Sequence, residues 1–186
     1  MKSLSIIAAM DRLTKIAEQI ENHSLPPVHL WKPDVVGEID IRIDFNGHWY
    51  HEGELIKREP LVKLFASILW FEDENYYLVT PVEKLAIDVE DTPYIIHQME
   101  CLDNTWLATT NTHEQLFVGL DHPVELREYQ QQWIPYIKVR YDLWARVNRS
   151  IYYQWVDEAM QEKKNSIDRF LLSSGSYEFE VARMSD

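Results

Sequence analysis

Ile39-Asp40-Ile41-Arg42-Ile43-Asp44-Phe45-Asn46-Gly47-His48-Trp49-Tyr50-His51 is the stretch on which the fold turns. Ile39, Ile41, Ile43 and Phe45 alternate with Asp40, Arg42 and Asp44, a period of two that sets one face of a strand against a core and the other toward water. Asn46-Gly47 follows at once. A type I′ turn needs positive φ at both central residues, and this dipeptide tolerates it best, so a hairpin is expected with residues 48–51 as the return strand.

Working outward, Pro60 suits the first turn of a helix, and Leu61, Leu64, Phe65, Ile68 and Leu69 form its apolar stripe. The polar run Glu72-Asp73-Glu74-Asn75 is expected to end that helix, and residues 76–79 to form a strand stopped by Thr80-Pro81. Upstream, the three prolines Pro26, Pro27 and Pro33 exclude a helix interior or a central strand and predict an extended connector. Before them Ile6, Met10, Leu13, Ile16, Ala17 and Ile20 recur at helical spacing, which predicts an amphipathic helix.

The second half offers short strands over 85–89, 95–102, 105–110 and 115–118, assembled as an antiparallel meander, with turns at Asp103-Asn104 and 111–113. Two further strands are expected over 136–140 and 143–147. Asn148 can cap a helix carrying Ile151, Tyr152, Trp155, Val156 and Ala159, which breaks at 163–166, and 177–181 reads as the last strand. Element types repeat: hairpin, helix and strand over 39–79, then again over 136–181. The fold class is therefore α+β, a duplicated core of antiparallel strands plus helix, divided into domains 1–84 and 85–186.

Composition limits the function. Of 186 residues 46% are hydrophobic and 5 are glycine, enough apolar side chain for a packed core. Lys and Arg total 18 against 31 Asp and Glu, and the net charge of −13 disfavours general nucleic-acid binding while allowing a local basic pocket. The single cysteine, Cys101, forms no internal disulfide, and its apolar neighbours Ile95, Ile96 and Met99 suggest a buried thiol in a reducing, cytoplasmic compartment. Asp11 and Arg12 cut short the first apolar run, so neither a signal peptide nor a membrane span is expected.

No phosphate-loop, dinucleotide-binding, nucleophile-elbow or zinc-protease signature occurs, so no catalytic residues and no cofactor are assigned. His48 and His51 lie three apart on a hairpin and point to opposite faces, which argues against a metal site. Cys101 has no basic neighbour to activate it, and Ser173-Ser174-Gly175-Ser176 reads as a turn. The basic residues are more suggestive: Arg42, Arg58, Lys63 and Lys84 in the first half, Lys138, Arg140, Arg146 and Arg149 in the second. Arginine forks hold phosphate or carboxylate, and Trp49, Tyr50, Trp144 or Tyr152 can stack on a ring.

Pro26-Pro27-Val28-His29-Leu30-Trp31, residues 39–43, Trp49-Tyr50-His51, Leu78-Val79-Thr80-Pro81-Val82-Glu83-Lys84 and residues 135–153 together resemble the proteobacterial family of domain of unknown function 1285 (DUF1285). The resemblance runs over nearly the whole chain, although Trp144 and residues 163–166 depart from it. It implies a duplicated α+β core, a C-terminal half like pleckstrin-homology folds, and a nucleotide-like ligand between the halves in signal transduction. The motif positions that become ligand candidates are Arg42, Trp49, His51, Arg58, Thr80, Glu83, Lys84, Arg140 and Arg146. The expected partner is a small, phosphate-bearing molecule. The competing readings are a hydrolase of phosphorylated metabolites using Glu83, Asp40 or His51, and a scaffold holding a protein partner at a strand edge.

Overall fold

The computed structural model describes residues 25–161 and 169–183; the expected N-terminal helix and the break at 163–166 lie outside them. The chain divides into two units, the first ending at Asp91 and the second beginning at Thr92.

The first unit is a sheet of six strands: β1 (Val35–Ile43), β2 (Trp49–His51), β3 (Glu54–Leu55), β4 (Leu69–Glu72), β5 (Asn75–Val79) and β6 (Glu83–Val89), with helix α1 (Glu59–Ser67) between β3 and β4. Its order is β3-β2-β1-β6-β5-β4. β1 and β6 run parallel at the centre, and every other neighbouring pair is antiparallel. Lys84, the expected domain boundary, falls inside β6. That strand is hydrogen-bonded between β1 and β5, so the division comes only after it.

The register separates two faces. Ile43 lies opposite both Trp49 and Val89, and Leu78 opposite Leu85, so these side chains share a face by alternation. Trp49 is 1% exposed and meets Phe65 of α1 with ring centroids 6.0 Å apart. This face is the core, and Ile41, Ile43, Leu69 and Leu78 are buried with it. Val36, Trp70, Tyr77, Val79 and Lys84 belong to the opposite face.

The turns depart instructively from expectation. Asn46-Gly47 does not form a two-residue type I′ turn: only Gly47 has positive φ, at 78°. Gly47 N–H donates to the Asp44 carbonyl at 2.9 Å and Asp44 N–H to the His48 carbonyl at 3.0 Å, a three-residue loop with glycine in the left-handed position. The Asp44 carboxylate decides this, accepting from the backbone N–H groups of Asn46 and His48 at 2.9 Å each. Paired positive φ occurs instead at Glu52-Gly53, Asp73-Glu74, Asp103-Asn104 and Gln130-Gln131. Because Asp73-Glu74 is such a turn, α1 stops at Ser67, and Leu69–Glu72 is a strand paired with β5 where a longer helix was expected.

The second unit repeats the sheet with β7 (Tyr94–Leu102), β8 (Thr105–Thr110), β9 (Gln115–Phe117), β10 (Val124–Tyr129), β11 (Gln132–Arg140) and β12 (Leu143–Val147). Read from β9 its order is β9-β8-β7-β12-β11-β10, the order of the first sheet, again with the first and sixth strands parallel. The duplication therefore holds, but its second copy starts at Tyr94 and not at residue 136. Helix α2 (Arg149–Gln161) and the hairpin of β13 (Arg169–Ser174) and β14 (Tyr177–Arg183) come after the repeat. Asn148 caps α2 as expected, its Oδ1 accepting from Ile151 N–H at 2.9 Å. Trp155 of α2 packs on Trp106 and Phe179 at centroid distances of 6.1 and 5.1 Å. Cys101 is exposed, contrary to the buried thiol expected from its neighbours.

Candidate functional site

On the face of the first sheet opposite α1 the structure forms an open cleft of about 330 Å³. Its floor is sheet: Val36 of β1, Trp70 and Glu72 of β4, Val79 of β5 and Lys84 of β6. The proline-rich connector, with a 3-10 turn at Val28–Leu30, supplies the other wall through Val28, His29, Trp31, Lys32 and Pro33. The register explains the floor, since Trp70 lies opposite Tyr77 while Lys84 lies between Val79 and Val36.

Two tryptophans and three basic side chains thus share one small concavity with a single carboxylate. Lys84 Nζ is ion-paired with Glu72 and lies 4.2 Å from the centroid of the Tyr77 ring. The Glu72 carboxyl is held below its usual range first by the hydrogen bond from Lys84 and by that ammonium's charge, with a further hydrogen bond from the Trp70 indole. Trp31 and Trp70 offer flat apolar surface, and Lys84, Lys32 and His29 offer donors for an anion.

Of the residues expected at a ligand site, only Lys84 lines this cleft. Arg42 shares its sheet face but lies opposite Asp88, four positions or about 13 Å along β6 from Lys84. It is ion-paired with Glu90 and sits over the Tyr50 ring at 4.7 Å. Glu90 also accepts from Phe45 N–H at 2.7 Å, so Glu90, just past β6, holds both Arg42 of β1 and the start of the hairpin loop. Trp49 and His51 belong to the core face, and their Nε1 and Nε2 atoms are buried without a partner among the described residues. Arg58 is the exposed N-cap residue of α1. Thr80 makes the reversal between β5 and β6, its Oγ1 accepting from Glu83 N–H at 3.0 Å, so Thr80 is a turn residue and Glu83 the first residue of β6, opposite Val35.

In the second unit Arg140 donates to Glu114 Oε2 at 2.5 Å and to the Tyr94 hydroxyl at 2.6 Å. Burial works against its charge, but Tyr94 and Glu114 more than offset it and raise its pKa. Burial in turn pushes the Tyr94 hydroxyl well above the usual tyrosine range. Arg146 is 8% exposed on β12, opposite Tyr136. Among the described residues no group of three or more His, Cys, Asp or Glu side chains is placed to hold a metal ion, and no helix is long and apolar enough to cross a membrane.

The sequence reading missed His29, Trp31, Lys32, Trp70 and Glu72. The signal for the first three was the proline-rich connector itself, an exposed run that spends tryptophan, histidine and lysine where a plain linker needs none. Trp70 and Glu72 were hidden by the reading of β4 as helix.

Residues 26–92 match the family model described as "Domain of unknown function (DUF1285), N-terminal domain", and residues 93–181 the one described as "Protein of unknown function (DUF1285), C-terminal domain". The crystal structure of a DUF1285 family protein from Silicibacter pomeroyi is similar at 32% identity and a TM-score of 0.80, covering 92% of this chain and 94% of that one. A second, from Shewanella baltica, is similar at 29% identity and a TM-score of 0.52, covering 63% of this chain and 91% of that one. No curated protein matches. With both family models matched end to end across the two units, the chain belongs to the DUF1285 family.

Proposed function

We propose that the protein is a small-ligand-binding module whose first unit takes a phosphate-bearing ligand with a planar ring, nucleotide-like in shape, in the cleft between the connector and the sheet, with a role in signal transduction. The observation that carries this reading is the convergence of Trp31, Trp70, Lys32 and Lys84 on one concavity in a chain of net charge −13. Aromatic faces favour a flat ring, and the lysines favour the anion attached to it. The second unit, six strands followed by a helix, is read as the pleckstrin-homology-like half. The exposed free thiol of Cys101 suits a reducing cytoplasm.

The test is calorimetric titration and thermal shift of the purified protein with nucleoside monophosphates and sugar phosphates. Ligand bound to the native state raises the melting temperature by mass action. A saturable shift lost in both Lys84→Met and Trp70→Ala supports the reading. A shift unchanged in both places the ligand elsewhere and refutes it.

A further inference from the structure

We infer that Glu72 occupies the position of the ligand's anionic group, so that the cleft favours phosphate monoester dianions, which compete best with an internal carboxylate for Lys84. The inference rests on the cleft being the ligand site, and it adds what the site selects and how.

Lys84 is the fixed partner. Its side chain is 22% exposed, it lies on the Tyr77 ring, and it belongs to a strand hydrogen-bonded on both sides. Glu72 is the movable one: it ends the edge strand β4, its side chain is 49% exposed, and the Asp73-Glu74 turn follows it. Lys84 and the Trp70 indole both donate to this carboxylate. An ammonium and an indole N–H converging on one anion are also what a phosphate oxygen needs.

An entering group must therefore displace a unit negative charge that remains tethered beside it. A carboxylate or a phosphodiester, each with one charge, exchanges like for like and then suffers the repulsion of the displaced Glu72. A phosphate monoester carries close to two charges above its second pKa of about 6. The displaced Glu72 repels it twice as strongly, but Lys84 and Lys32 also attract it twice as strongly, and with two lysines against one carboxylate it gains the difference. Lys32 and His29, on the opposite wall, line the same space. Unit charges about 5 Å apart in water interact by an amount worth about a fourfold change in affinity, which sets the scale of the discrimination.

The experiment is titration calorimetry at about pH 8 with phenyl phosphate, a dianionic monoester, and methyl phenyl phosphate, its monoanionic diester. The proteins are the full-length chain and its Glu72→Gln and Lys84→Met variants. Glutamine keeps the hydrogen-bonding shape and removes only the charge, at an exposed position where the fold is not at stake. The expected result is that the unmodified protein prefers the monoester about fourfold, that Glu72→Gln binds the diester about fourfold and the monoester about sixteenfold tighter because the lost repulsion scales with ligand charge, and that Lys84→Met loses both. If the unmodified protein binds phenyl phosphate but Glu72→Gln binds it equally or more weakly, the displacement inference is overturned while the cleft reading stands. If neither protein binds either probe at ~10 mM, the cleft reading falls and takes the inference with it.

Discussion

Replacing Glu114 by alanine is expected to destabilise the second unit far more than a surface ion pair would. Arg140 and Glu114 have side chains only 12% and 25% exposed, and the guanidinium also donates to the Tyr94 hydroxyl. Breaking a fully buried pair by removing one partner costs about 3–5 kcal/mol, because the remaining charge stays desolvated. With Glu114 a quarter exposed, water compensates in part, and about 2–3 kcal/mol is expected. For a unit of this size each kcal/mol lowers the melting temperature by about 4–8 °C, so scanning calorimetry should record a drop of about 10–20 °C. Arg140→Met alone should cost a similar amount. The double variant should be more stable than the sum of the singles by at least about 1 kcal/mol, since it leaves no orphaned charge. A Glu114→Ala loss below about 1 kcal/mol with no coupling would refute the argument and make the pair an ordinary screened contact. On this account Arg140 is a structural group of the second unit, and its replacement should lower stability without changing ligand affinity at the cleft.

The same cluster predicts alkaline sensitivity. The Tyr94 pKa is raised by burial, so the unfolded chain releases this proton first, near pH 10, while the folded chain retains it; the associated stability is intact below that pH and is lost as pH rises. Stability measured between about pH 9 and 11 should fall less steeply in Tyr94→Phe, and an unchanged slope would count against it. Asn148→Ala removes the side-chain acceptor for Ile151 N–H and should cost about 1 kcal/mol in urea unfolding. Cys101, being exposed, should react completely with a thiol reagent in the native protein; labelling only after denaturation would contradict the structure.

Alternation and caps were legible in the sequence because each is decided within a few residues. Ile41 and Ile43 are buried as their period of two required, and Asn148 caps α2 where it was expected to. What misled was chemistry acting over a slightly longer range. Asn46-Gly47 is the stronger type I′ signal on paper, yet Asp44 captures two backbone N–H groups and converts the loop, while Asp73 and Glu74 take left-handed φ with no glycine at all. Missing that turn merged β4 into α1 and concealed Trp70 and Glu72. The parallel pairing of β1 with β6 joins residues some 50 positions apart in sequence, and no local pattern reports it. Of the candidate site, Lys84 was found as a motif residue. Arg42 and Arg140 were charges without visible partners in a linear reading, and Glu90 and Glu114 become their partners only through the sheet.

The two copies explain why the phase of the repeat was misread and why a cleft is free to form in the first. In each copy the second strand presents a buried tryptophan to an aromatic ring on the covering helix: Trp49 to Phe65 at 6.0 Å, Trp106 to Trp155 at 6.1 Å. A six-stranded sheet must bury one face, and one amphipathic helix can do it. The position of that helix along the chain is not constrained by the packing. In the first unit it is inserted between the third and fourth strands; in the second, residues 118–123 join those strands directly and the helix follows the sixth. A scan for repeated element types therefore aligns helix with helix and shifts the repeat by most of a domain. The functional consequence follows from the same economy. In the first unit α1 serves the core face, so the proline-rich connector need not build core. It lies along the opposite face instead, where Trp31 and Lys32 on the connector line one cleft with Trp70 and Lys84 on the sheet.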